Sequence, residues 1–205
     1  MSTSEKDTVA AAVAVEGVAC NNLLAPNTRL DNAIANSREN KLPEIAVCPL
    51  QGQFLAIQCQ LIGAKTVLEI GTLGGSTPKH RDVALRNVAG LDVEVILGAA
   101  LDVLPKLAAE GRRFDMVFCD ASWGEQEKYF DWAVKLTRPK GCIYVDNVVW
   151  NALDSGAVES GRDSLLTHVG KDKRVKATLV PMISTAHTAS RGRTILDGFL
   201  LAVVN

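Results

Sequence analysis

No block of basic residues occurs in this 205-residue chain, and its 22 Lys and Arg nearly balance 23 Asp and Glu, for a formal charge of -1. That removes the electrostatic footprint of a nucleic-acid or membrane-surface partner and points to a small, roughly neutral substrate. No C-x-x-C pair occurs either. Cys20, Cys48, Cys59, Cys119 and Cys142 are scattered singly and odd in number, against a zinc cluster or disulfide framework and in favour of buried thiols in a reducing, cytoplasmic compartment. The longest apolar stretch near the start, Val9 to Val15, is too short to span a membrane and follows Glu5, Lys6 and Asp7 rather than a basic leader. There is no internal repeat and no linker. One domain is expected over residues 31–205, with residues 1–30 as an N-terminal arm or helix.

From Thr66 onward, short apolar runs alternate with segments of helical period, the pattern of an α/β fold with a mainly parallel sheet. The predicted strands are Thr66 to Ile70, Val93 to Leu97, Asp115 to Cys119 and Gly141 to Val145. Helices are predicted over Lys79 to Val88, around Leu101, Leu104 and Leu107, and over Tyr129 to Leu136, the last closed by a Pro139-Lys140-Gly141 turn. Phe54, Leu55, Leu61 and Ile62 mark a helix packed before the first strand. Arg174 to Val180 and Phe199 to Val204 are β-rich and fit a closing antiparallel pair.

Ligands of open α/β sheets bind beyond the carboxyl ends of the strands, so the polar residues there are read first. The first run carries Glu69 and leads into Gly71-Thr72-Leu73-Gly74-Gly75-Ser76, where small residues let backbone approach a ligand. A carboxylate at the end of a buried strand is expected to need a partner. The glycines are out of register with G-x-G-x-x-G, which excludes the dinucleotide fingerprint of a nicotinamide-dependent oxidoreductase. Asp120 follows Met116-Val117-Phe118-Cys119, and Asp146-Asn147 follows Ile143-Tyr144-Val145. On neighbouring strands these ends lie about 5 Å apart. Three hard oxygen donors converging there suit Mg²⁺ or a similar cation, whereas one isolated Asp after a strand is more often a cap.

The stretches Leu50-Gln51-Gly52-Gln53-Phe54-Leu55, Val67 to Gly75, Phe118-Cys119-Asp120-Ala121, Asp146-Asn147-Val148-Val149-Trp150 and Asp197-Gly198-Phe199 together resemble the caffeoyl-CoA and catechol O-methyltransferase family. The resemblance implies a Rossmann-like class I methyltransferase sheet with a C-terminal antiparallel pair, and usually a homodimer. It implies S-adenosylmethionine bordered by Glu69, Gly71, Thr72, Gly75, Ser76, Ala99 and Asp120, and a metal on Asp120, Asp146 and Asn147. It places Trp150 by the substrate. Trp123, from its own aromatic face, is a second candidate wall for a planar ring, with core packing the open alternative for either tryptophan. The implied reaction moves a methyl from sulfonium to a hydroxyl of a catechol-type or phenylpropanoid molecule. A cation chelated by vicinal hydroxyls lowers the pKa of one of them. In-line positioning can supply about 7 to 11 kcal/mol of the barrier.

The chain departs from the family twice. A lysine usually follows the metal Asp by three residues and takes the phenolic proton, but here that position is Trp123. Lys128 is the substitute catalytic candidate, and His80 a weaker one. Secondly, Ser76-Thr77 runs directly into Pro78-Lys79-His80-Arg81-Asp82, leaving out roughly two dozen residues, about one helix and one strand at ordinary lengths. Asp82 and Asp92 are poorly placed to replace the lost ribose anchor. Direct pairing of Thr66–Ile70 with Val93–Leu97 is therefore expected, in a sheet one strand and one helix short, with the adenosine pocket partly open. The alternative is an inactive or weakened relative that binds a ligand or partner.

Overall fold

The structure is a computed structural model that describes residues 3–72, 78–161, 163–184 and 195–205. Helices α1 (Thr3–Leu23), α2 (Thr28–Glu39) and α3 (Pro49–Leu61) precede the first strand, β1 (Val67–Ile70). Then come α4 (Pro78–Asn87), α5 (Ala100–Ala109), β2 (Phe114–Cys119), α6 (Gln126–Leu136) and β3 (Thr137–Val145). The short helices α7 (Val148–Asp154), α8 (Ala157–Ser160) and α9 (Leu165–Lys171) lead to β4 (Val175–Ser184) and β5 (Ile195–Val204). No helix among the described residues is long and apolar enough to cross a membrane.

The five strands form one sheet in the order β1-β2-β3-β5-β4. β1, β2 and β3 are parallel, and β5 runs antiparallel to both β3 and β4, as the closing pair predicted. Alternate side chains of the central strands serve two cores, as a sheet covered on both faces requires. Val117, Cys119, Ile143, Val145, Leu200 and Ala202 face a core shared with Leu104 of α5 and Phe130 of α6. Met116, Cys142, Tyr144 and Phe199 face the other way, against Phe54 and Leu55 of α3. There the Tyr144 and Phe199 rings stack at 4.2 Å.

Three sequence expectations are corrected. Val93–Leu97 is not a strand: it joins no ladder, and Val93, Ile96 and Leu97 are 48%, 41% and 43% exposed. β1 pairs with β2 instead and forms one edge of the sheet. The physical reason lies in α4, whose end is tied to α2 rather than turned back along β1. Arg29 donates to the Ala89 carbonyl at 2.8 Å, and Asn87 donates to the Ser37 hydroxyl at 3.2 Å. Secondly, Glu69 is exposed, because an edge strand leaves its outer residues in water, so its carboxylate needs no buried partner. Thirdly, Pro139-Lys140-Gly141 does not close α6 but lies inside β3, where Lys140 adopts φ 61° and the ladder with β2 shifts register.

That irregularity serves a clamp. Arg138 pairs with Asp115 and also donates to the Ile62 carbonyl at 3.1 Å. The other Asp115 oxygen accepts the backbone N–H groups of Lys65 and Thr66, both at 2.8 Å, and the Thr66 hydroxyl at 3.0 Å. One carboxylate thus fastens the entry of β1 to β2 and β3. The Arg138 guanidinium first, and then the two N–H groups, hold the Asp115 carboxyl well below the usual carboxylate range. A depressed folded-state pKa stabilises fully above the unfolded value near 4 and is lost as pH falls from there through the folded value. Asp115→Asn is expected to lower unfolding free energy at pH 7 by about 2 kcal/mol. In urea titrations across pH, its deficit relative to wild type should shrink below about pH 4. An equal deficit at every pH would assign the effect to packing instead.

Candidate active site

The parallel ladder sets Ile70, Cys119 and Val145 side by side, so the residues that follow them emerge together. The Asp120 N–H donates to the Ile70 carbonyl at 2.8 Å, and the Asp146 N–H to the Cys119 carbonyl at 2.9 Å, extending the ladder one residue beyond the strands. Asp120 and Asp146 are thereby brought together, with Asn147 next in the chain in a left-handed conformation, φ 57° and ψ 27°. Gly71 makes the arrangement possible. At φ +105°, a Cβ there would overlap the Asp120 carbonyl, so the β1 exit and Asp120 share one backbone contact.

The pair is electrostatically uncomfortable. Burial, then the charges of Glu69 and Asp197, push the Asp120 carboxyl up to about 6. Burial, then Asp120 and Asp197, push Asp146 up to about 7. Among the described residues no donor reaches the Asp120 carboxylate, whereas Asp146 Oδ1 accepts Gln51 Nε2 at 2.7 Å. Gln51, on α3, also donates to the Tyr144 hydroxyl at 2.6 Å. Gln126 donates to the Asp146 carbonyl at 2.9 Å and accepts from Asn151 at 2.8 Å. Among the described residues no group of three or more His, Cys, Asp or Glu forms a metal cage. What could hold a cation is two carboxylates and one carboxamide oxygen, hard donors of which one is left without a hydrogen bond.

Trp123, in a short 3₁₀ turn over Trp123–Glu125, donates its indole N–H to Asn147 Oδ1 at 3.3 Å. Its ring lies 4.9 Å from that of Trp150. The two tryptophans proposed from sequence are therefore neighbours of each other and of Asn147. A cleft of about 210 Å³ opens beside Trp123, lined also by Gln126, Val148, Asn151 and Leu165. Lys128 lies on α6 with its side chain 65% exposed, 3.6 Å from Glu125. His80 is on α4. Of the cofactor candidates, Thr72 and Ala99 are exposed, Ala99 as the residue before α5, while Gly75 and Ser76 fall outside the described residues. Asp82 and Asp92 are both exposed.

A family model for O-methyltransferases matches residues 78–187, more than half of the chain. The chain belongs to the O-methyltransferase family. An O-methyltransferase of Aspergillus flavus is 36% identical over 221 residues, covering 88% of this chain and 86% of that protein. A catechol O-methyltransferase of Mycobacterium tuberculosis is 36% identical over 212 residues, covering 89% of this chain and 91% of its own. Among solved structures, the O-methyltransferase from Bacillus cereus in complex with SAH superposes with a TM-score of 0.82 at 29% identity, covering 96% of this chain and all of that one. TomG from Streptomyces achromogenes, in complex with SAM, gives 0.76 at 31% identity, covering 94% and 96%. This O-methyltransferase is thus a methyltransferase-type enzyme, and its mixed five-stranded sheet is that of the Rossmann-like methyltransferase fold.

Gln51, Gln126 and Asp197 had no assigned role from sequence, yet all three are buried beside Asp146 and Asn147. A signal was present: Asp197 interrupts the apolar run Ile195 to Val204, and a carboxylate in a buried strand must have partners. Gly71→Ala is expected to destabilise the fold by at least about 2 kcal/mol, because positive φ and steric overlap act together. Chemical denaturation measures it; wild-type stability in the variant would show that β1 and Asp120 can separate.

Proposed function

We propose that the protein transfers the methyl group of S-adenosylmethionine to a hydroxyl of a catechol-type or phenylpropanoid molecule, with a divalent cation such as Mg²⁺ in the site. The observation that carries this reading is the half-buried Asp120 carboxylate, without a donor among the described residues and beside Asp146 and Asn147. Support for the cofactor comes from the relatives bound to SAH and SAM, and support for the substrate class from the catechol O-methyltransferase similarity. The alternative of an inactive ligand-binding relative is not favoured, since the matched relatives are named as enzymes along most of their length.

Asp120, Asp146 and Asn147 would hold the cation, which would supply Lewis acidity at a chelated phenol hydroxyl. Gly71 and Thr72 at the β1 exit, with Glu69, Gly75, Ser76, Ala99 and Asp120, are assigned to the cofactor. Trp123 and Trp150 offer aromatic faces to a planar ring and exclude water from one side of it. Lys128 would have to leave Glu125 and solvent to act as a base, so in this reading the phenolic proton departs to water. The matched lengths of 221 and 212 residues exceed the 205 of this chain, so relatives carry residues with no counterpart here. That accords with a shortened adenosine pocket and weak cofactor binding. A homodimer rests on the resemblance, and a cytoplasmic setting accords with the five free thiols.

Calorimetric titration with S-adenosylhomocysteine should give binding that is weak yet measurable at about millimolar ligand, about 4 kcal/mol of affinity. No heat at that concentration rejects the cofactor reading. Asp146→Ala should abolish methylation of a catechol while leaving the circular dichroism spectrum and cooperative melting in place. Wild-type turnover that persists in excess chelator rejects the cation.

A further inference from the structure

Asn147 stands at the N-cap of α7, where an asparagine side chain ordinarily accepts an N–H group of the first turn. It makes no such bond. Asp197, reaching over from β5, makes it instead. Its Oδ1 accepts the Trp150 N–H at 3.3 Å and the Gly198 N–H at 2.7 Å, and its Oδ2 accepts Asn147 Nδ2 at 2.8 Å. The close seat of α7 on β5 is built in, since a Cβ at Gly198 would come within 2.7 Å of Val149 Cγ2 and 2.9 Å of Pro181 Cα.

These bonds leave one orientation for the Asn147 amide. A carboxylate only accepts, so the NH₂ end must face Asp197; the Trp123 indole only donates, so the carbonyl end must face Trp123. Asp197 is 5% exposed, and with three N–H donors its carboxylate is occupied as a holder. We propose that Asp197 is a positioning residue, which caps α7 in place of Asn147 and so frees and orients the Asn147 carbonyl oxygen as a donor to the site. Its consequence for cation binding rests on the reading in the preceding section; its control of the Asn147 amide does not.

Asp197→Asn is the decisive variant, because it keeps volume and a capping oxygen but allows the Asn147 amide to turn over. Mn²⁺ binding, followed by water proton relaxation, should weaken at least about tenfold in Asp197→Asn. Asn147→Ala should weaken it similarly, and the double variant should be no weaker than Asn147→Ala alone. Thermal melting of Asp197→Asn should stay near wild type; if it does not fold, Asp197→Ser replaces it in the same cycle. Unchanged Mn²⁺ affinity in the Asp197 variant, or losses that add in the double variant, overturn the proposal. A wild-type protein that takes up no Mn²⁺ rejects the cation reading instead. Exchange of the Asn147 side-chain amide protons then decides the positioning role: slow in wild type and fast in Asp197→Asn supports it, and equal rates overturn it.

Discussion

Everything at the site depends on the register of three parallel strands. Ile70, Cys119 and Val145 lie abreast, and two backbone hydrogen bonds carry the ladder one residue further to Asp120 and Asp146. Because side chains alternate at every step, a slip of one residue on either strand would turn an acid into a core and bring an apolar side chain to the ligand face. The clamp around Asp115 fixes the same strands at their opposite ends, and Gly71 permits the contact that closes them at this one.

That register forces together groups that repel. Burial first, and then the neighbouring charges of Glu69 and Asp197 on Asp120 and of Asp120 and Asp197 on Asp146, disfavour the two ionised carboxylates. Gln51, donating to the Asp146 carboxylate, and Asn147, donating to that of Asp197, offset part of the cost, while Asn151 holds Gln126 on the Asp146 carbonyl. Such an arrangement is poor for stability taken alone and makes sense where ligand completes it, the usual trade of a functional site.

The ends of β2 and β3 were legible in the sequence because each apolar run there stops at an acid, and that is why Asp120 and Asp146, with Asn147 next in the chain, could be placed at neighbouring strand ends. The antiparallel close was legible from β-branched and aromatic runs alone. Val93–Leu97 was not, since an apolar run becomes a strand only where a free edge meets it, and the α2 to α4 hydrogen bonds decide where the chain goes. Local pattern cannot report that distant constraint. Asp197 was visible as a carboxylate inside an apolar run, but its partner was hidden for a related reason, as was that of Gln51. Gln51 and Asp197 lie 95 and 50 residues from their partners Asp146 and Asn147, so these contacts exist only in the folded chain.

β1 ends the sheet with only four residues, and Glu69 on it faces water. An uncovered strand edge is a template on which other chains can polymerise, and proteins commonly blunt such edges by brevity and charge. Glu69 therefore has a use that is independent of any ligand: it discourages another strand from adding to the sheet where Val93–Leu97 does not.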